Sequence, residues 1–406
     1  RVRDRVRLRR RKKAGGVLRA ARIQRSEAMP IYTQENTLRL ARRYRNAKRA
    51  YLLVNPLQAK HLPVSPAAAL EMMEALGHQL AERYPGASLV VGFAETATAI
   101  GAAAARCLGE GCVYLHTTRE PFSPGEHWIS FCEEHSHAVE QTLCADHLEA
   151  YLARTDTVIF LDDEISTGKT LRNMIAQLRE RYPALGEKTL VAASILNRVS
   201  PEDEALLRQA GICCEYLVKL PQQDYTAAVA DIAVEEARAA TPAEGTFHHR
   251  TLPGPETGDP RRGVEMGTYA GQCGQAAQVA AEALALPAAG RVLVLGTEEC
   301  MYPALVLGAE LERRGYTVRC HATTRSPIGV CDRPGYPIRC GVKLPSFYDP
   351  ARTTYLYDLD HYDAAVVVSD TPRQDTDALA ALTGALTAYG TEKIYYVRRG
   401  SDVWYL

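Results

Sequence analysis

The chain predicts an α/β protein of two domains with mainly parallel sheets, the second a diverged duplicate of the first. Three observations carry that reading. Apolar runs of strand length alternate with helical patterns along most of the chain. A Pro- and Gly-rich stretch interrupts the alternation once. The segments on either side of it share landmarks in the same order.

Taken in order, residues 51–54 read as a short strand and 66–83 as a helix. Residues 88–91 form a strand, followed by a Gly-containing loop and an Ala-rich helix that runs to Arg106. A strand at 113–115, a helix at 137–154, a strongly apolar strand at 157–161 and a helix at 170–181 follow. Strands at 190–196 and 214–218 and a helix at 225–240 close the first half. Residues 241–267 lack apolar periodicity and read as a linker between a domain at 29–240 and one at 268–406. The second half supplies helices at 275–286, 303–314 and 375–389, with strands at 292–295, 317–320, 364–368 and 393–397.

Length and composition agree with two domains. The 406 residues exceed one ordinary domain, and 46% hydrophobic content is ample for buried cores. The formal charge is zero but unevenly spread. Residues 1–50 hold 18 Lys/Arg against 3 Asp/Glu, leaving 30 against 45 in the rest. Residues 1–28 read as a basic disordered leader before an ordinary start at Met29, with a nucleic-acid arm or a transit peptide as competing readings. No apolar run approaches the roughly 20 residues that span a bilayer. The eleven cysteines include no C-x-x-C pair and do not read as a disulfide framework. A reducing cytoplasm is the simplest compartment.

The duplication shows in spacing. Leu89-Val-Val-Gly92 matches Leu293-Val-Leu-Gly296, and His116-Thr-Thr-Arg119 matches Thr323-Thr-Arg325. Ile159-Phe-Leu-Asp-Asp163 matches Val366-Val-Val-Ser-Asp370. Gly92 to Thr118 is 26 positions and Gly296 to Thr324 is 28, while Thr118 to Asp163 is 45 and Thr324 to Asp370 is 46.

The chemistry is written in Val158-Ile-Phe-Leu-Asp-Asp-Glu-Ile-Ser-Thr-Gly-Lys-Thr170. A buried strand delivers two carboxylates at its end, and small hydroxyl residues with one glycine lead into a helix. A helix N-terminus flanked by hydroxyls suits a phosphate. The carboxylates repel that phosphate but accept hydrogen bonds from neighbouring sugar hydroxyls. A Walker A loop fails on spacing, because its first glycine would fall at Asp163. An ordinary strand-end turn and helix cap is the plain alternative.

This segment resembles the phosphoribosyl pyrophosphate (PRPP) motif of type I phosphoribosyltransferases, departing from it only at Glu164, where an apolar residue is usual. The resemblance implies a type I phosphoribosyltransferase fold for the first domain. It implies that Asp162 and Asp163 hold the ribose hydroxyls and that Ser166, Thr167, Gly168, Lys169 and Thr170 wrap the 5′-phosphate, with Glu164 between them also a candidate substrate contact. It implies that Ala94, Glu95, Thr96 and Ala97 form the pyrophosphate loop, with Arg119 as a cation for the pyrophosphate. Mg²⁺ is the implied cofactor, reaching Asp162 and Asp163 through PRPP oxygens. The stretch from Glu120 to Ser136 resembles the hood that closes over such sites, and His135 and His137 are candidate contacts there, against a plain solvated loop. Asn55–Pro63 is a candidate lid in which Lys60 or His61 meets the acceptor, against an ordinary strand-to-helix loop.

In the second half, His321-Ala-Thr-Thr-Arg-Ser-Pro327 and Val294-Leu-Gly-Thr-Glu-Glu-Cys-Met-Tyr-Pro303 resemble the TRSP domain, which follows a phosphoribosyltransferase domain in its family. That family is associated with tellurium-resistance-type operons and a nucleoside-like product. Ser369-Asp-Thr-Pro lacks the double acid and the Thr-Gly-x-Thr loop, so no second PRPP site is expected. Thr297, Glu298, Thr324, Arg325 and Ser326 are candidates for a different pocket, with a purely structural duplicate as the other reading. The expected function is PRPP-dependent transfer of phosphoribose to a small, base-like acceptor. A PRPP-sensing regulator, a nucleic-acid-binding module and the reverse, pyrophosphate-consuming reaction are the competitors. No membrane or nucleic-acid partner is expected, and a homodimer is left open.

Overall fold

The structure is a computed structural model that describes residues 31–46, 49–120, 127–131, 141–372 and 375–406. The basic leader, His135 and His137 lie outside the described residues. From Tyr32 to Leu406 the chain forms one unit.

The first half runs α1 (Gln34–Thr37), β1 (Arg39–Arg42), β2 (Tyr51–Val54), α2 (Pro66–Arg83), β3 (Ala87–Gly92), α3 (Thr98–Leu108) and β4 (Val113–His116). It continues through β5 (Trp128–Phe131), β6 (Gln141–Cys144), α4 (Leu148–Ala153), β7 (Thr157–Ile165), α5 (Lys169–Arg181), β8 (Thr189–Asn197), α6 (Pro201–Gln209), β9 (Ile212–Lys219) and α7 (Thr226–Ala230). The second half has β10 (Arg238–Ala239), β11 (His248–Thr251), β12 (Val264–Glu265), α8 (Met266–Ala283), β13 (Arg291–Gly296), α9 (Tyr302–Arg313) and β14 (Thr317–Ala322). It ends with β15 (Gly341–Pro345), β16 (Thr353–Tyr357), β17 (Ala364–Ser369), α10 (Thr376–Ala388), β18 (Lys393–Arg398) and β19 (Asp402–Tyr405).

Local signals explain the helix starts. Ser65 caps α2 through its hydroxyl, which accepts the Ala68 amide, and Pro66 occupies the first turn, where no donor is needed. Ser200 and Pro201 repeat that arrangement at α6. In α3, Gly101 lets the helix lie against Tyr114, since a Cβ there would sit 2.6 Å from the ring.

The two halves share a topology. Strands β4-β3-β7-β8 stand side by side and parallel in the first sheet, and β14-β13-β17-β18 do so in the second. Gly92 pairs with His116 and Leu161; Gly296 pairs with Ala322 and Val368. That register sets Glu95 against Glu299, Thr118 against Thr324, Arg119 against Arg325 and Asp163 against Asp370. The halves diverge at the far edge. There β9 is parallel to β8, whereas β19 returns antiparallel to β18 through a short turn.

Three sequence expectations are corrected. Within 137–154, the described residues form β6 and the short α4 instead of one helix, because β6 pairs with β5 and Thr142 bridges Thr118. Within 225–240 the helix stops at Ala230, and Glu235 and β10 join the second half through Val330 and β15. Residues 241–267, expected as a linker, supply β11 to the edge of the second sheet and β12 to the edge of the first. Extended pieces between prolines find free sheet edges, which local composition does not reveal.

The halves pack reciprocally. Helix α2 lies on α9 and α8 lies on α3. Just before α2, Val64 bridges Cys320 of β14; just before α8, Val264 pairs with Tyr114 of β4. This is the pattern of an isologous interface, here inside one chain. Met72, Leu76, Ile100, Tyr269, Ala277, Leu305 and the inner faces of both sheets form one continuous apolar core.

Candidate active site

Strand β7 is buried from Thr157 to Leu161, which fixes it between β3 and β8 and delivers Asp162 and Asp163 at its carboxyl end. The Asp163 amide donates to Asp162 Oδ1 at 2.9 Å, and the Thr96 hydroxyl donates to Asp163 Oδ1 at 2.7 Å. Burial, then the neighbouring Asp163 carboxylate, pushes the Asp162 carboxyl well above its ordinary range. Ser166 and Thr167 are exposed, and Gly168 takes a left-handed φ of 68° as the N-cap of α5. At that turn the Lys169 amide donates to Thr167 Oγ1 at 3.3 Å, and a helix N-terminus flanked by hydroxyls suits an anion.

The loop from Phe93 to Ala97 faces this turn. Its Ala94 amide is taken by Thr117 Oγ1 at 2.9 Å and its Ala97 amide by the Phe93 carbonyl at 3.0 Å. The Glu95 and Thr96 amides have no acceptor among the described residues. The Ala94–Glu95 peptide is cis. Gln58 donates to the Thr96 carbonyl at 2.8 Å, and Gln141 donates to that of Ala94 at 3.1 Å. Arg119 is exposed at the end of β4. Asp162, Asp163, the 166–170 turn, the 93–97 loop and Arg119 thus lie around the carboxyl ends of β3, β4 and β7, where ligands of open α/β sheets bind.

Other expected contacts go elsewhere. Lys60 is fully buried. Its Nζ lies 2.6 Å from Glu95 Oε1, and it donates to the carbonyls of Glu298 (2.8 Å) and Thr323 (3.0 Å). Burial lowers its pKa, which Glu95 and Glu298 only partly offset, and all three N–H donors are engaged. His61 is also buried, and burial followed by the Lys60 charge pushes its pKa down to about 3, so it is neutral. Glu164 faces Arg198 at 2.6 Å, and Arg198 also donates to Tyr51 Oη.

The expected second-half pocket is a closed polar network instead. Glu298 accepts from Arg325 (2.9 Å), Arg352 (2.8 Å) and Ser346 (2.5 Å). Thr297 meets Tyr348 and Ser369 at 3.0 Å each, the Thr324 hydroxyl accepts the Ser326 amide, and the Ser326 carbonyl accepts Tyr357 Oη. Asp370, at the position equivalent to Asp163, is neutralised by Arg261 at 2.6 Å and bonded by Tyr348. Arg261, Arg352 and Glu120 were not singled out from sequence. The available signal was the repeat, which sets Glu299 opposite Glu95 and so implies a second buried acid in need of a cation.

A phosphoribosyl transferase family model matches residues 37–221, and the TRSP domain that lies C-terminal to that transferase matches 260–386. The chain carries a phosphoribosyl transferase domain followed by a TRSP domain. Comparison with curated proteins gives no match. Among solved structures, adenine phosphoribosyltransferase of Trypanosoma brucei, in complex with AMP, pyrophosphate and ribose-5-phosphate, is 16% identical over 46% of this chain and 77% of its own, with a TM-score of 0.33. The Giardia lamblia enzyme with 9-deazaadenine is 17% identical over 45% and 93%, with a TM-score of 0.31. A hypoxanthine phosphoribosyltransferase of Staphylococcus aureus is 18% identical over 40% and 78%, with a TM-score of 0.25. Among the described residues, no helix is long and apolar enough to cross a membrane.

Proposed function

We propose that the phosphoribosyl transferase domain transfers a 5-phosphoribosyl group from PRPP to the nitrogen of a small, base-like acceptor and releases pyrophosphate. The observation that carries this is the junction of β7 and α5. Two adjacent acids stand at a buried strand end, and a hydroxyl-rich turn with left-handed Gly168 opens the next helix. Asp162 and Asp163 accept hydrogen bonds from the ribose 2′- and 3′-hydroxyls. The hydroxyls and amides of 166–170 hold the 5′-phosphate. The Glu95 and Thr96 amides and Arg119 receive the diphosphate.

In the reaction the bond from C1 to the pyrophosphate oxygen breaks, and the electron pair leaves with pyrophosphate. The lone pair of the acceptor nitrogen bonds C1, which passes through an oxocarbenium-like transition state, and the N–H proton leaves to the departing pyrophosphate or to water. The chain contributes orientation and charge stabilisation of the leaving group, which are large terms in such displacements. The side chains fit an Mg²⁺ that arrives with PRPP. Asp162 and Asp163 form a close acid pair, while no group of three or more His, Cys, Asp or Glu among the described residues could hold a metal alone. When bound, Mg²⁺ neutralises charge on the diphosphate oxygens. Asp162 and Asp163 would reach it through PRPP oxygens.

The test is pyrophosphate release from PRPP and Mg²⁺ over a panel of purine, pyrimidine and smaller nitrogen acceptors, with calorimetric titration of PRPP alongside. PRPP binding with acceptor-dependent release is expected. A chain that neither binds PRPP nor releases pyrophosphate sinks the reading.

A further inference from the structure

We propose that the TRSP domain serves as the positioning partner of the transferase site, with Arg325 and Glu299 fixing the segments that face the diphosphate. This rests on the reading of the 93–97 loop and Arg119 as the diphosphate contacts.

The reciprocal packing brings the two equivalent sets of loops face to face. Arg325, from the Thr-Arg-Ser-Pro string, reaches out of its own half. Its guanidinium lies 3.3 Å from Glu95, 2.9 Å from Glu298 and 3.6 Å from Glu299, and it bonds Glu120. Arg352 bonds both oxygens of Glu120, at 2.8 and 2.9 Å. Glu299 accepts the Thr118 hydroxyl at 2.7 Å and the Arg119 amide at 3.1 Å, and Arg261 holds it at 2.9 Å. Each first-half segment near the diphosphate is therefore tied to a second-half side chain: the 93–97 loop through Glu95, the Thr118–Arg119 corner through Glu299, and Glu120 through two arginines.

Burial makes these ties directional. Glu95, Glu298 and Glu299 are almost wholly shielded from water, and an acid so placed is strongly destabilising unless paired. Burial pushes the Glu95 carboxyl up, but Lys60 and Arg325 more than offset it and hold it below its ordinary range. Without Arg325, Glu95 keeps Lys60 as its remaining cation, and uncompensated negative charge stands behind the loop that must accept a diphosphate. In the duplicate the acid pair is not reproduced. Ser369 replaces the first acid, and Asp370 is bound by Arg261. One half keeps the site, and the loops of the other have become its support.

The experiment compares the full chain with Arg325→Ala, Arg325→Lys and Glu299→Gln, by steady-state kinetics and by hydrogen exchange. For Arg325→Ala the KM for PRPP should rise about 10- to 100-fold, the scale on which a misplaced contact loop weakens its ligand, with the acceptor KM changed less than about threefold. Arg325→Lys should recover much of the loss because it restores the charge. A purely structural role predicts no such split. Exchange of the amides at 93–98 and 117–120 should rise in the Ala and Gln variants, while α10 keeps its protection. A folded Arg325→Ala chain with an unchanged PRPP KM and unchanged exchange at both loops overturns the proposal. The exchange result decides it even if the wild-type chain releases no pyrophosphate, an outcome that sinks the transferase reading alone.

Discussion

Replacing Asp162 and Asp163 by asparagine should separate ligand binding from folding. In the free protein the two acids stand side by side at the end of β7, and burial with mutual repulsion pushes the Asp162 carboxyl well above its ordinary range. Asparagine keeps the shape and still accepts the Thr96 hydroxyl, now 2.7 Å from Asp163, and the Asp163 amide, now 2.9 Å from Asp162. The double variant should therefore unfold at the wild-type temperature or above it. Ribose binding behaves oppositely. A hydrogen bond to a charged acceptor contributes about 1.5–3 kcal/mol, and one to a carboxyl held above its ordinary range, as at Asp162, about 0.5–1.5 kcal/mol. Losing one of each weakens PRPP binding by about 30- to 2,000-fold. Calorimetric titration with PRPP and Mg²⁺ measures the affinity, and differential scanning calorimetry measures the stability. A double variant that binds PRPP within about threefold of wild type would refute the ribose assignment. Wild-type affinity loss accompanied by a steep fall in melting temperature would instead make the pair structural.

Three further outcomes are expected. Gly168→Ala forces a side chain into a left-handed φ of 68° and sets its Cβ 2.8 Å from Leu207 Cδ1; urea unfolding should show a loss of about 1–2 kcal/mol, and an unaltered midpoint contradicts the strain argument. Arg198→Ala leaves Glu164 without its partner at 2.6 Å in a site that is 14–22% exposed. The cost should lie near 1–3 kcal/mol, between the exposed and buried limits, and a double-mutant cycle with Glu164→Leu should return most of it. His61 has a folded pKa of about 3, below the unfolded value near 6.5, so the unfolded chain binds the extra proton between those limits. Its stability contribution is complete above about pH 6.5 and is lost as pH falls; about 2 kcal/mol should disappear between pH 7 and 5. His61→Gln should flatten that part of the urea-midpoint profile, and an unchanged profile refutes the buried neutral imidazole.

Much of the fold was legible because its signals are local. Strand β7 announces itself by five buried residues in a row followed by two acids, and α2 by Ser65-Pro66 ahead of an apolar periodicity. The landmarks Gly92/Gly296, Thr118/Thr324 and Asp163/Asp370 were recoverable from spacing alone, and the strand registers align the same pairs. Strands β6, β10, β11 and β12 were not legible, because each is specified by the edge it meets and not by its own apolar pattern. Lys60 was misread for a related reason. A lysine in a loop is ordinarily solvated, and nothing near it in sequence announces the carbonyls of Glu298 and Thr323.

Order along the chain was enough to establish the α/β alternation, the repeat, the acid pair with the hydroxyl-rich turn that follows it, and the loss of that turn in the second half. These depend on periodicity, turn chemistry and spacing within a few tens of residues. The through-space arrangement settled how the halves meet: α2 on α9, α8 on α3, and the Thr-Arg-Ser-Pro arginine against Glu95 and Glu120. Charges more than two hundred positions apart carry no mark of their partners, and only burial makes the pairing obligatory.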